Sequence, residues 1–366
     1  MIFSATKEAL IESLSLCSSI AERRQTIPIL SNILIKAEKG NFSFIATDLE
    51  RQLKLNINDV DIEKSGETTV SARKLYELIR SVPDTTLLKF LVIDNQLEIS
   101  ALSFQADLAT LPVQDFPLVD LEQYQNKIEL NGEKFGSIVE KTSFAMAQAD
   151  VRYYLNGLLI EMSSSKINLV STDGHRLAWA SFETDQKLDD NKIILPRSSA
   201  LELHRILNIF PEKINLEFNN TQIRISSEKF EFVSKLIEGV YPDYRKVFPS
   251  GEEQKMAINK SSIQTALSRS AVLSNEKFRG VKFQLEKNML KVFANNPNKE
   301  SAEEEIETTY NGDSFEIGFN ITYVQDSLSY LPGEDVEFVF FGSENSCLVK
   351  NSNKDDLVHV IMPMRL

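Results

Sequence analysis

The sequence has few of the residues that mark exported or membrane-spanning proteins. It contains two cysteines, Cys17 and Cys347, which are far apart and lie in apolar contexts, so we predict reduced core thiols in a cytoplasmic protein. No uninterrupted apolar stretch approaches the roughly 18 residues of a membrane-spanning helix. The first residues, MIFSATKEAL, lack a basic segment followed by an apolar one, and we expect no export.

Several catalytic signatures are also missing. No two glycines are spaced as GxG, and neither CxxC nor HExxH occurs, which argues against nucleotide-binding loops and common zinc sites. The three histidines, His175, His204 and His359, are scattered singly. We therefore predict no metal and no cofactor. A Ser-His-Asp site assembled from distant residues stays open as the alternative of a hydrolase.

Basic residues are outnumbered in the chain. Forty Lys and Arg face 53 Asp and Glu, a net charge of −13, whereas a protein that holds nucleic acid by its overall field would carry the opposite sign. A basic surface within an acidic protein remains compatible with this balance. The 366 residues are 42% hydrophobic, which is enough for two or three globular domains.

An internal triplication is the most informative feature of the sequence. Three segments open alike with a short apolar strand, a turn and an amphipathic helix: FSATKEALIESLSL from residue 3, IELNGEKFGSIVEKT from 128 and MAINKSSIQTALSRS from 256. Other landmarks recur 121 to 125 residues apart, among them Asn32, Asn156 and Gly280, and then Pro117, Pro242 and Pro363. This period is too long for a solenoid repeat and has the length of a domain.

The repeats predict one α+β domain copied three times. Each copy holds two helices, and its alternating runs, such as QIRISSEKFEFVSKL, are typical of antiparallel sheets with one solvated face. We predict domains at residues 1–122, 126–248 and 252–366. The polar helix faces are rich in basic residues, and these are Arg73, Lys74, Arg80, Lys134, Lys141, Arg197, Arg205, Lys260 and Arg269.

The chain resembles a known family, the beta subunit of bacterial DNA polymerase III, or sliding clamp. The resemblance rests on RRQTIPILSNILI at 23, ATDLE at 47, SARKLYELIRSVPD at 71, DVRYYLNGLLIE at 150, STDGHRLA at 171, YPDYRKVFP at 241 and the terminal MPMRL. It covers all three repeats. It implies a processivity factor without catalytic activity, in which a head-to-tail homodimer closes a ring, helices line a central hole and sheets lie outside.

The resemblance also implies partners and contact residues. The partners are double-stranded DNA, encircled without sequence preference, DNA polymerases and a separate ATP-dependent clamp loader; no membrane is expected. DNA contacts are implied for Arg24, Arg73, Tyr153 and Tyr154. The family's glutamine beside Asp150 is replaced by Ala149, and Gln148, one position earlier, is included among the predicted DNA contacts.

A cleft between the second and third domains is implied to bind short partner peptides that carry Gln and Leu or Phe. Lys246 stands where the family often has Arg. The cleft residues are Arg152, Leu155, Thr172, Gly174, His175, Arg176, Leu177, Pro242, Lys246, Val247, Asn320, Tyr323, Val360, Ile361, Met362, Pro363, Met364 and Arg365.

The dimer seam is implied to join the first domain of one chain to the third domain of the other. Leu108 is expected to meet Val272 and Leu273, and Lys74 to face Glu300 or Glu304. Ser103, Gln105 and Ala106 replace basic and aromatic residues that many relatives have there, so we expect a dimer that dissociates measurably. An acidic scaffold that binds peptides but never DNA is the second alternative.

Overall fold

A computed structural model describes residues 1–21, 27–101, 104–351 and 356–365. The chain forms two compact units. The first comprises Met1–Gly136 and Ser198–Leu236, and the second comprises Ser137–Arg197 and Ile237–Leu366.

The described residues contain six α-helices, which are α1 Lys7–Ile20, α2 Ala72–Ser81, α3 Gly132–Ser143, α4 Arg197–Ile209, α5 Lys260–Val272 and α6 Ile321–Tyr330. The first repeat has strands β1 Ile2–Thr6, β2 Asn32–Glu38, β3 Asn41–Thr47, β4 Arg51–Ile57, β5 Asp61–Lys64, β6 Gly66–Ser71, β7 Leu87–Ile93, β8 Gln96–Ala101 and β9 Phe104–Leu111. The second has β10 Asn126–Asn131, β11 Gly157–Thr172, β12 Arg176–Pro196, β13 Lys213–Phe218, β14 Gln222–Ser226 and β15 Phe230–Lys235. The third has β16 Gln254–Asn259, β17 Gly280–Glu286, β18 Met289–Asn295, β19 Ser301–Glu307, β20 Thr309–Tyr310, β21 Phe315–Asn320, β22 Asp335–Phe340, β23 Cys347–Asn351 and β24 Leu357–Ile361.

Five of the six described helices start directly after a small polar residue that ends a strand. The side chains of Thr6, Ser71, Asn131, Asn259 and Asn320 each accept a hydrogen bond from a backbone N–H in the first turn of the helix that follows. Such caps satisfy N–H groups that have no partner within the helix. The same junction chemistry therefore recurs in all three repeats.

The strand pairing repeats as the sequence predicts. The first strand of each repeat pairs antiparallel with the strand after its second helix: β1 with β7, β10 with β13 and β16 with β22. The backbone N–H at the start of the first helix donates to the residue just before that partner strand, from Lys7 to Thr86, from Gly132 to Glu212 and from Lys260 to Glu334. The threefold α+β repeat is thus confirmed in its hydrogen bonding.

The sheets are antiparallel throughout. The first unit has the strand order β10-β13-β14-β15-β4-β3-β2-β6-β9-β8-β7-β1-β5, and the second has two sheets ordered β11-β12-β24-β23-β22-β16-β20 and β19-β18-β17-β21. Strand β15 of the second repeat pairs with β4 of the first, with Phe232 opposite Leu53. Strand β24 of the third repeat pairs with β12 of the second, with His359 opposite Ala178.

These shared sheets explain why the compact units divide the middle repeat instead of following the three repeats. In the first unit the segment after residue 117 is also bound to the second repeat's strands, because the backbone of Glu122 and the hydroxyl of Tyr124 both donate to Gln222. The domain bounds 1–122, 126–248 and 252–366 stay predictions.

Buried aromatic and aliphatic side chains form the cores. In the first unit Phe3 stacks on Phe90 with ring centroids 4.4 Å apart, and in the second Phe283 lies edge-on to Phe319 at 5.4 Å. Each cysteine is buried and free, as predicted. Burial raises the pKa of both thiols, which makes them poor nucleophiles.

Candidate functional site

A tight turn joins β11 to β12 and carries four of the predicted cleft residues. The Thr172 hydroxyl donates to the carbonyl of Arg176 (2.6 Å) and accepts from the N–H of Gly174 (3.0 Å). The Asp173 carboxylate accepts from the N–H groups of His175 and Arg176 (2.9 and 3.1 Å). Gly174 has φ 90°, a conformation in which glycine is favoured.

The same turn occurs in the first repeat. Thr47 bonds the carbonyl of Arg51, and Asp48 binds the Arg51 side chain at 2.8 Å. Leu49 adopts φ 74° at the position of Gly174, although a side chain is strained there. The corresponding sequences TDLE and TDGH therefore form the same local structure in the first and second repeats.

Arg176 is the most heavily bonded residue of the second-unit turn. Its guanidinium binds Asp173 (3.0 Å), Asp326 of α6 (2.5 Å) and the carbonyl of Phe144 after α3 (3.1 Å). It also lies 4.5 Å above the ring of Tyr323. With 12% of its side chain exposed, Arg176 fixes the turn against both helices and has little surface left for a ligand.

Arg152 borders the same turn from the other side. It binds Asp150 through two nitrogens (3.0 and 2.9 Å) and the carbonyl of Asp173 (3.3 Å). These bonds lower the pKa of Asp150 to about 2. A β-carbon on Gly174 would lie 3.1 Å from the guanidinium, so a side chain at that position would push Arg152 away.

The floor of the candidate cleft is an apolar cluster in the second unit. We call it the cleft-floor cluster; its buried members are Ala147, Leu155, Leu159, Val170, Leu177, Ile194, Tyr241, Tyr244 and Val360. Val247, Trp179 and Phe248 pack against it half-buried. Of the predicted cleft residues, Leu155, Leu177, Val247 and Val360 are thus brought together.

The chain end is fixed beside this floor by backbone hydrogen bonds. Met362 donates to the carbonyl of His175 (3.0 Å) and Met364 to that of Gly318 (2.9 Å). Met362, Pro363 and Met364 are half-buried, while Arg365 is exposed. The His175 ring lies nearly parallel to that of Tyr323, with centroids 6.4 Å apart. Met362 and Met364, two of the predicted cleft residues, are thus bonded to the β11–β12 turn and to β21.

Other predicted cleft residues contribute less directly. Asn320 caps α6 by accepting from the N–H groups of Thr322 and Tyr323. Pro242 and Lys246 are exposed, and Lys246 lies 3.8 Å from Asp243. Ile361 is 1% exposed and belongs to the core around Phe338, not to the cleft-floor cluster.

The residues predicted to contact DNA are placed as follows. Arg24 lies outside the described residues. Arg73 is exposed on α2 and pairs with Glu77 at 2.7 Å. In the second unit Gln148 and Tyr153 are exposed, and the rings of Tyr153 and Tyr154 are 5.9 Å apart.

Several basic helix residues have internal partners. Arg197 donates to the carbonyl of Met146, and Lys260 to that of Leu331. Arg205 lies 3.7 Å from Glu202. These three basic side chains are therefore bonded within their own fold.

The residues of the predicted dimer seam differ in accessibility. Val272 is 79% exposed at the end of α5, whereas Leu108 on β9 is 9% exposed. Glu304 binds Arg269 within the chain at 2.5 and 2.6 Å. Lys74 is exposed, and the Glu300 carboxylate accepts from Asn296.

Two buried polar residues of the second unit were not predicted. The Glu161 carboxylate binds Tyr244, Arg245 and Lys192. His359 has a backbone carbonyl 3.2 Å from each ring nitrogen. An acidic residue within the apolar run GLLIEM was the one sequence signal for Glu161.

Signs of other site types are missing from the described parts of the chain. No helix among them has the length and apolar character to cross a membrane. No three His, Cys, Asp or Glu residues among them are grouped as metal ligands would be.

Comparison with known proteins gives matches along the whole chain. Three models of the DNA polymerase III beta subunit match: its N-terminal domain at residues 1–120, its central domain at 129–243 and its C-terminal domain at 245–365. The beta sliding clamp of Pseudomonas aeruginosa is 40% identical over 367 residues, and that of Escherichia coli K12 is 36% identical over 366, with both chains fully covered in each case.

Solved structures agree with these matches. The fold is similar to a crystal structure of the sliding clamp of Pseudomonas aeruginosa bound to griselimycin, with a TM-score of 0.94 at 40% identity over the whole of both chains. It is also similar to a Caulobacter crescentus beta sliding clamp, with a TM-score of 0.91 at 32% identity, covering 100% of this chain and 99% of that one.

Proposed function

Because this chain belongs to the DNA polymerase III beta subunit family, the beta sliding clamps, we propose that two copies of it join head to tail into a closed ring around duplex DNA. The predictions of a clamp fold, of a processivity subunit and of a protein without catalytic activity are confirmed by that membership. Membership also associates the chain with DNA and with the polymerase.

The charge balance supports holding DNA by enclosure. A replicating polymerase must stay on its template for many steps without being fixed at any one of them. Contacts to phosphate weaken steeply as salt rises, because they depend on counterion release. A ring is held by topology, so weakly attractive basic residues are sufficient, and a net charge of −13 disfavours DNA on the outside.

We assign the helices to the inner face of this ring and the sheets to its outer face. Arg24, Arg73, Gln148, Tyr153 and Tyr154 would then contact DNA. Support comes from Arg73, whose side chain is 73% exposed although it pairs with Glu77. Tyr153, with 58% exposure, offers a flat ring to sugars or bases.

We further infer that the cleft-floor cluster and its rim bind short peptides of polymerases and of the clamp loader. An apolar floor suits Leu and Phe side chains, and the polar rim of Arg152 and His175 suits a Gln amide. Met362 and Met364 supply flexible thioethers, which adapt to different ligands. The ring has to be opened by a separate ATPase, since the sequence offers no phosphate-binding glycine loop.

The proposed seam places the Leu108 region of one protomer against the Val272–Leu273 region of the next. Val272 is one of the most exposed apolar residues in the described chain, and burial of such a side chain favours association. Lys74 would face Glu300 or Glu304, and Glu304 would then share its charge between Lys74 and Arg269. A cytoplasmic location is part of the same proposal.

The threefold repeat of one hydrogen-bonded strand–helix unit is the observation that best supports a ring, since two chains supply six equivalent units. Negative-stain imaging of the purified protein tests it. We expect ring-shaped particles with a central hole, and sedimentation equilibrium that resolves monomer and dimer. Solid particles, or monomer alone at micromolar concentration, would refute the ring.

A further inference from the structure

One side of the candidate cleft is a loop that its own backbone does not fix. We call residues 238–250 the Pro242 loop; it supplies Pro242, Lys246 and Val247. In the described structure its backbone hydrogen bonds are local, from Lys246 to Asp243 (3.2 Å) and from Phe248 to Arg245 (3.4 Å). Side chains must therefore hold the loop against the sheet.

Glu161 is the buried anion under this loop. It lies on β11, 4% exposed, directly opposite Lys192 of β12. Its Oε2 accepts from the Tyr244 hydroxyl (2.7 Å) and from Arg245 (2.6 Å), and its Oε1 lies 2.9 Å from the Lys192 ammonium. Two consecutive residues of the Pro242 loop are thus bonded to one oxygen atom.

The carboxylate stays ionised across the physiological range. Burial alone would raise the pKa of Glu161, but the hydrogen bonds from Tyr244, Lys192 and Arg245 outweigh burial and lower that pKa to about 2. Charge-assisted hydrogen bonds of this kind are stronger than neutral ones. Loss of the charge would leave two cations without their partner and weaken the bond to the Tyr244 hydroxyl.

Packing connects the residues bonded to Glu161 with the cleft-floor cluster. The Tyr244 ring belongs to the cleft-floor cluster, and the Arg245 guanidinium lies 4.6 Å above that ring. Tyr244–Val247 form a 3₁₀ turn, and Val247 at its end packs against the cluster half-buried. If Tyr244 leaves its place, Val247 must shift with it, since only two residues separate them.

We propose that Glu161 is a positioning residue of the peptide cleft, which fixes the Pro242 loop through Tyr244 and Arg245 so that Val247 completes the apolar floor. This role rests on the proposed peptide-binding function. Glu161 itself touches no peptide, because it is buried beneath the loop.

The test compares three variants of the full-length protein with the wild type. Glu161→Gln removes the charge at constant shape, and Tyr244→Phe removes one hydrogen bond. Glu183→Gln is the matched control, because Glu183 belongs to the same strand pair but forms an exposed ion pair with Lys166. The probe is a fluorescein-labelled pentapeptide with Gln first and Leu-Phe last, measured by fluorescence polarisation where circular dichroism reports folded protein.

We expect Glu161→Gln to raise the peptide Kd about tenfold and Tyr244→Phe about threefold, with less than the product of the two in the double variant, because both act through one anchor. Glu183→Gln should leave the Kd unchanged. Trypsin cleavage after Arg245 or Lys246, both exposed, should be faster in Glu161→Gln and slowed by saturating peptide.

The outcomes distinguish failure of the proposed role of Glu161 from failure of the proposed peptide-binding function. If the wild type does not bind the peptide, the proposed cleft fails and the role of Glu161 fails with it. If the wild type binds while Glu161→Gln and Tyr244→Phe bind equally well, the cleft stands and the positioning role is wrong. A lower melting temperature with an unchanged Kd would make Glu161 purely structural.

Discussion

His359 offers the sharpest test of the second unit, because it is a fully buried titratable group between two helices. Its Nδ1 lies 3.2 Å from the carbonyl of Ser327 on α6, and its Nε2 lies 3.2 Å from that of Lys141 on α3. Burial lowers the pKa of His359 from its ordinary value of 6.5 to about 4, although the two carbonyls oppose this shift. The nearby Arg176 cation also lowers it.

The sign of the effect on stability follows from this pKa. The folded state binds fewer protons than the unfolded state between pH 6.5 and about 4. The contribution of His359 is therefore complete above pH 6.5 and is lost as the pH falls towards 4. Between pH 7.5 and 5.5 the wild type should lose about 1.3 kcal/mol of unfolding free energy through this residue.

His359→Gln keeps an amide that can donate to a carbonyl but cannot titrate in this range. We expect its unfolding free energy to fall by about 1.3 kcal/mol less than that of the wild type over the same interval, measured by urea denaturation at matched protein concentration. Other groups titrate in both proteins and cancel in the difference. Both pH values lie above the acid range in which carboxylates become protonated.

Histidine NMR provides a direct check, since the chain has three histidines. The Hε1 signal of His359, identified by its loss in His359→Gln, should not shift between pH 7.5 and 5.5. A signal that titrates with a midpoint near 6.5, or equal pH dependence of stability in both proteins, would show that His359 is accessible to protons and that this packing between α3 and α6 is wrong.

Three further predictions concern the tail, a helix start and the proposed inner face of the ring. Deletion of Met364–Leu366 should abolish binding of the labelled pentapeptide while sedimentation still reports a dimer; retained binding would contradict the cleft assignment. Gly132→Ala should lower the unfolding free energy by about 1–3 kcal/mol, since its new β-carbon would lie 2.2 Å from the carbonyl oxygen of Glu212. It should cost more than Gly136→Ala, where the closest atom is 2.9 Å away in a side chain. Equal thermal denaturation midpoints for the two variants would contradict this packing. Arg73→Gln should reduce the salt dependence of DNA retention by about one phosphate contact, whereas Lys89→Gln, an exposed cation on β7, should not; identical salt slopes would remove Arg73 from the DNA contacts.

The repeat was predictable because the features that define it depend on residues close together in the sequence. Asn32, Asn156 and Gly280 recur at a spacing of 124 residues, and each occurs at or next to the residue where a long strand starts. The Thr-Asp turn likewise needs only residues close in sequence, so TDLE and TDGH predict the same bonds. Alternation indicated the strands, and the small polar residues that cap the helices are likewise local features of the sequence.

The polar contacts over long sequence distances were not predictable. Glu161 and Tyr244 are 83 residues apart, and nothing in their local patterns pairs them. Arg197 and Lys260 looked like free basic residues on polar helix faces, but each donates to a backbone carbonyl. Ile361 matched the family's cleft and lies in a core, because strand alternation turns it away from the floor that Val360 faces.

Retention on DNA of different topology tests the proposed enclosure most directly. The protein is placed on nicked circular plasmid by a clamp loader with ATP, separated from free protein by gel filtration, and then followed after the plasmid is cut once by a restriction enzyme. We expect stable retention on the circle and rapid loss after the cut, at a salt concentration that removes proteins bound through phosphate contacts alone. Equal retention on circular and linear DNA, or release from both, would contradict a ring that encircles the duplex.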